Sequence, residues 1–265
     1  MRDWLFCILE ILVYTFGVMG CCALVVEQCH RAIYTLLGRR VGRVFWYATA
    51  LPGAPVHELG HALMCLIFGH RIERCRLFPT RRGAACVEHS YTLRNPWAAF
   101  GNLPIALGPI LSGLAVMLGV LALLFPQTLA IYTNAVSQLQ AHELTLAQAA
   151  AASLSMVRAL VSETAVPLLP RILGGYLLLS MSLHVRLSVA DLRGMAPGIP
   201  YAVLLSALAA TVITLAGADA LAATTAALQA FALLQCALFA LILLFSLLCL
   251  GAAAVWRMIV SIVRL

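Results

Sequence analysis

Residues 45–69 read FWYATALPGAPVHELGHALMCLIFG, and both the fold and the chemistry turn on this stretch. As a helix it is long enough to cross about 30 Å of hydrocarbon. Its middle nevertheless carries His57, Glu58 and His61. Residues four apart share one helix face, so His57 and His61 can offer two imidazole nitrogens to one zinc ion, with Glu58 beside them as a proton acceptor. With seven His and seven Glu in the chain, a chance His-Glu-x-x-His match is expected about 0.005 times. Three ionisable groups in an apolar run are also costly unless something binds them.

The surrounding composition sets the context. The chain is 63% hydrophobic and 10% charged, with a mean hydropathy of +0.99, which is the composition of a polytopic membrane protein. Long apolar runs fall near 4–26, 45–69, 99–125, 167–185, 199–217 and 229–256. They predict an all-α polytopic membrane protein of about six transmembrane helices. Residues 1–265 then form a single membrane domain, with a core at about 45–125 and 167–200 and an interfacial, extracytoplasmic insertion at 126–166 of one or two helices. Glu10 and the lack of a small-residue cleavage site argue against a cleaved signal peptide. All 17 basic residues are arginine, and the net charge of +7 sits in short connections between apolar runs. That placement orients a chain against a lipid surface and gives no reason to expect nucleic acid as a partner. Six cysteines, Cys65 among them, fall in apolar runs as small hydrophobes. No Cys-x-x-Cys pair occurs, so a thiolate zinc site is disfavoured.

The arginine distribution fits cytoplasmic termini for four connections, including the 70–98 connection with six arginines. It fits poorly at 27–44, where Arg31, Arg39, Arg40 and Arg43 would face outward. Either that segment lies in the interface, or 45–69 is a re-entrant hairpin broken at Leu51-Pro52-Gly53-Ala54-Pro55. A new helix is expected to begin at Pro55, a proline kink being the alternative.

Two histidines do not complete a catalytic zinc site, which usually has three protein ligands. Of the three aspartates, Asp3 is terminal and Asp219 lies in the connection after the fifth run, which leaves Asp191 at the end of the fourth. His184, seven residues earlier, would share a helical face with it and is a rival ligand or an orienting group. His142 and Glu143 lie in the 126–166 insertion, far from a second half-motif. The 70–98 connection contains strand-forming residues around His89 that could offer an edge to an extended peptide. Asn102, at the start of the third run, is either a helix cap or a hydrogen-bonding group for substrate.

Taken together, His57-Glu58-Leu59-Gly60-His61, Ala106-Leu107-Gly108-Pro109 with Ser112-Gly113, and Asp191-Leu192-Arg193-Gly194 resemble the site-2 protease group of intramembrane zinc metalloproteases. The likeness covers roughly 45–125 and 170–200. It departs where Leu-Arg-Gly, instead of Gly, follows the aspartate, and where Ser112 replaces a common Asn. The resemblance implies Zn²⁺ held by His57, His61 and Asp191, Glu58 as catalytic base, and hydrolysis of membrane-protein substrates. His184, Asn102 and His89 would support substrate or ligands. It also implies a multi-pass protein of a bacterial inner membrane with its site toward the cytoplasm. The competing reading is a non-proteolytic metal-binding membrane protein, either a transporter or an inactive client-binding relative. A transporter would be expected to carry ionisable groups on several spans or an internal repeat, and Glu10 alone answers to that.

Overall fold

The structure is a computed structural model describing residues 2–80, 83–92 and 94–263; of the arginines counted above, Arg81, Arg82 and Arg264 lie outside them. Helix α1 (Arg2–Leu12) runs through a π-helical turn at Val13–Gly17 into α2 (Val18–Ile67). A hairpin of β1 (Arg71–Arg76) and β2 (Cys86–Ser90) follows. Then come α3 (Pro96–Leu124), α4 (Pro126–Gln140), α5 (Leu146–Ser162), α6 (Leu168–His184), α7 (Val189–Met195), α8 (Ile199–Ala216) and α9 (Ala218–Val263). Four helical stretches among the described residues are long and apolar enough to cross a membrane: Arg2–Ile67, Pro96–Leu124, Val189–Ala216 and Ala218–Val263. The chain is an α-helical membrane protein whose one sheet among the described residues is the small hairpin.

The first two apolar runs belong to one helical stretch, and the segment between them is helical instead of a loop. It is a helical hairpin that reverses at Gly38, whose φ of 71° and ψ of 175° suit glycine almost alone. Beyond that residue the chain folds back: the Tyr34 and Phe45 rings lie 6.3 Å apart, against about 16 Å for eleven residues along a straight helix. Ile33 and Phe45 then pack in one cluster with Leu183 and Cys249.

The expected break at 51–55 does not occur. Helix α2 passes through Pro52 and Pro55 without interruption, so no new helix starts at Pro55 and no re-entrant hairpin forms there. Pro52 has no N–H to give the Ala48 carbonyl, and the Tyr176 hydroxyl on α6 donates to that oxygen at 2.6 Å. The lost helical bond is thus replaced by one between helices, as an apolar setting requires.

The 126–166 insertion forms the two helices α4 and α5, with His142 and Glu143 in the turn between them. The main apolar core joins α3, α6 and α9 to the first arm of α2 through Ile110, Met117, Leu121, Leu178, Met181 and Ile242. Helix α3 crosses α2 where both carry glycine. A methyl group on Gly60 would stand 2.5 Å from the Gly108 carbonyl oxygen, and one on Gly108 would stand 2.4 Å from that of Gly60. In lipid, helix association depends on this kind of close backbone approach. Ser112 secures the crossing by donating to the Val56 carbonyl at 2.9 Å.

Gly38→Ala should lower stability by about 1–3 kcal/mol, read as a fall in the unfolding midpoint in detergent. The control Gly119→Ala, where an added methyl meets nothing within 4 Å, should leave the midpoint level or raise it.

Candidate metal centre

His57 and His61 project from the second arm of α2 with their rings 5.0 Å apart. Each ring nitrogen Nδ1 faces a backbone carbonyl, His184 for His57 at 2.9 Å and Ile105 for His61 at 2.8 Å. A carbonyl can only accept, so Nδ1 carries the proton in both rings and Nε2 presents a lone pair. Both acceptors lack the usual helical donor four residues on, although the His184 oxygen also accepts from the Arg186 N–H at 3.0 Å. Pro109 has no N–H, so the Ile105 oxygen four residues earlier loses its helical donor. The His184 carbonyl lies at the C-terminus of α6, where the last carbonyls lack intrahelical partners.

Asp191 completes the triangle. Its Oδ1 lies 3.2 Å from His61 Nε2 and its Oδ2 lies 3.9 Å from His57 Nε2. For tetrahedral zinc with bonds of 2.0–2.1 Å, ligand atoms stand about 3.3 Å apart, so the three donors fit such an ion. Ser188 and Asp191 form a capping box at the start of α7: the Ser188 N–H donates to Asp191 Oδ2 at 2.6 Å, and the Asp191 N–H donates to Ser188 Oγ at 3.1 Å. Neither Arg193 nor Arg186 takes the carboxylate; Arg186 pairs with Glu27 at 3.3 Å.

His184 does not share a helical face with Asp191, because α6 ends at His184 and α7 begins only at Val189. Its ring donates from Nδ1 to the Ser180 carbonyl at 2.9 Å, and Nε2 is buried with no hydrogen-bond partner among the described residues. What His184 gives the triangle is its carbonyl, which orients His57.

These residues surround a cavity of about 380 Å³, lined by His57, Glu58, His61, His184 and Asp191 and also by Asn102 and His89. All the candidates from the sequence therefore meet in one place. Glu58, 8% exposed, sits at its wall. Asn102 is not a cap: Asn95 caps α3 by accepting from the N–H groups of Trp97 and Ala98, while Asn102 donates to the Ala99 carbonyl at 3.0 Å. The 70–98 connection is an antiparallel hairpin, and Ala84, Ala85, Cys86 and Val87 roof the cavity. Strand β2 pairs on one side with β1 and has no partner strand on its other edge among the described residues, and the Val87 backbone meets Glu58. Burial, together with the neighbouring His70 and His61, holds the His89 imidazole below its ordinary pKa and therefore neutral near pH 7.

Sequence reasoning missed Ser188 and His70, and it read Pro109 as a motif residue without the carbonyl that it frees. Ser188-x-x-Asp191 is a readable cap pattern, and a mid-helix proline always frees one carbonyl. His70 carries no such signal, because its contacts depend on how the hairpin folds. Comparison with protein-family models, curated proteins and solved structures finds no match.

Pro109→Ala restores an N–H that competes with His61 for the Ile105 carbonyl. The expected result is about a 10-fold loss of zinc affinity in chelator competition, with helix content unchanged.

Proposed function

We propose that this protein is a membrane-embedded zinc endopeptidase with a site-2 protease-like core, hydrolysing peptide bonds of membrane-protein substrates within or near a span. One observation carries the reading: two imidazole Nε2 atoms, each fixed by a carbonyl at Nδ1, converge with the Asp191 carboxylate in the cavity that also holds Glu58. On this reading the chain crosses a bacterial inner membrane six times, Gly38 marks the first reversal, and the cavity opens toward the cytoplasm.

When bound, Zn²⁺ would polarise the scissile carbonyl and acidify a water beside it. The chain supplies the rest. Glu58 accepts the proton of the attacking water and passes it to the leaving amine. A helical substrate must expose its peptide bonds first, since in lipid its amides bond internally. The free edge of β2 supplies the unwound stretch with backbone partners along the cavity roof. Asn102 and His89, on the same wall, hydrogen-bond the extended peptide and hold it in line with Glu58. A transporter or a client-binding relative has no need of a carboxylate beside the ligands in a peptide-sized cavity.

Glu58→Gln should abolish cleavage of a membrane-protein substrate in proteoliposomes while bound zinc stays at the wild-type level; retained cleavage removes Glu58 as the base. Asp191→Ala should lower zinc occupancy more than His184→Ala does, measured by elemental analysis of the purified variants. The reverse order would transfer the ligand role to His184.

A further inference from the structure

A second cluster of ligating side chains lies one helical turn beyond His61. Cys65 Sγ and one ring nitrogen each of His70 and His89 stand within 4.8 Å of one another. Cys65 is 0% and His70 4% exposed, while His89 reaches the wall of the catalytic cavity.

Local backbone geometry brings the first two together. Helix α2 ends in a Schellman motif: Gly69, at φ 71°, donates to the Leu66 carbonyl at 3.4 Å, and the His70 N–H donates to that of Cys65 at 2.8 Å. This motif sets the side chains of Cys65 and His70 side by side, a place ordinarily filled by two apolar residues. Here the pair is a thiol and an imidazole. The third member arrives with the hairpin, where His89 sits opposite Ile72 in the register.

The protons point the same way. His70 Nε2 donates to the Ala98 carbonyl at 2.7 Å, so its Nδ1 presents a lone pair. That lone pair faces His89 Nδ1 at 2.9 Å. His70 thus repeats the arrangement at His57 and His61, its far nitrogen tied to a carbonyl, while His89 Nδ1 donates to its near nitrogen; a metal ion entering the cluster would displace that proton. Tetrahedral zinc places two imidazole nitrogens about 3.3 Å apart and a sulfur about 3.6 Å from each, so shifts of about 1 Å seat the ion. A thiolate with two imidazoles is a donor set that favours zinc over magnesium or calcium.

We propose that Cys65, His70 and His89 form a second zinc site, which clamps the β hairpin to the end of α2 and so fixes the cavity roof over Glu58. The site was not visible in the spacing of the cysteines, because its ligands come from a helix end, the residue after it and a strand nineteen residues on.

Cobalt(II) distinguishes the two sites, since the His57–His61–Asp191 triangle contains no thiolate. Wild-type chain and His57→Ala/His61→Ala, each loaded with Co²⁺ in detergent, should both show thiolate-to-cobalt charge-transfer absorption. Cys65→Ser should remove it while retaining one Co²⁺ per chain and its far-ultraviolet circular dichroism. Folded wild-type protein without that absorption, or absorption surviving in Cys65→Ser, overturns the second site. If the catalytic reading fails alone, the wild type binds one Co²⁺, and His57→Ala/His61→Ala keeps both the ion and the band.

Discussion

An imidazole placed among apolar helices can present one nitrogen to a cation only when its other N–H has an acceptor. Helices consume nearly all their own carbonyls, so such acceptors have to be released. Here Pro109 releases the Ile105 oxygen, and the end of α6 releases that of His184. Both hydrogen bonds are shorter than 3.0 Å, and both choose the tautomer that turns Nε2 toward Asp191. Much of the surrounding architecture follows from keeping these two carbonyls in place.

The carbonyls are positioned by backbone proximity. Helices α2 and α3 touch at Gly60 and Gly108, immediately next to the residues that matter: His61 adjoins one glycine and Pro109 the other. A side chain at either position would move Ile105 away from His61. Ser112, donating to Val56 one residue before His57, pins the same crossing from the other side. The Ala-Leu-Gly-Pro and Ser-Gly pattern of α3 therefore acts mainly through His61, with Ala106 alone of its residues reaching the cavity wall.

How much of this the sequence carried differs from element to element. The helical class, the apolar runs, and the grouping of His57, Glu58, His61 and Asp191 were legible because they rest on hydrophobic length and on the four-residue face of a helix. A reversal between the first two runs was legible, but its place at Gly38 was not, since an isolated glycine gives no signal until the far arm packs back on the near one. The prolines at 52 and 55 misled, because a helix break and a proline bridged by another helix look alike until Tyr176 is known to be close. His184 was placed on the wrong face for a related reason: periodicity was carried through Val185–Ser188, where the chain leaves the helix.

Asp191 shows how a difference from the pattern of the proteases proposed as a resemblance can be physically neutral. In the resembling proteases a glycine follows the aspartate, and here leucine and arginine do. What fixes this carboxylate lies upstream: Ser188 opens α7, and its N–H holds Oδ2, leaving Oδ1 turned toward His61. The same bond satisfies an N–H at the start of a helix, where a carboxylate also meets the favourable end of the local peptide dipoles. Because the orienting bond reaches back to residue 188, the residue at 192 carries no conformational duty toward the site, and Leu192 is free to lie exposed. The position of Asp191 therefore rests on the serine three residues before it, and a search keyed to the residue after the aspartate would pass over this site.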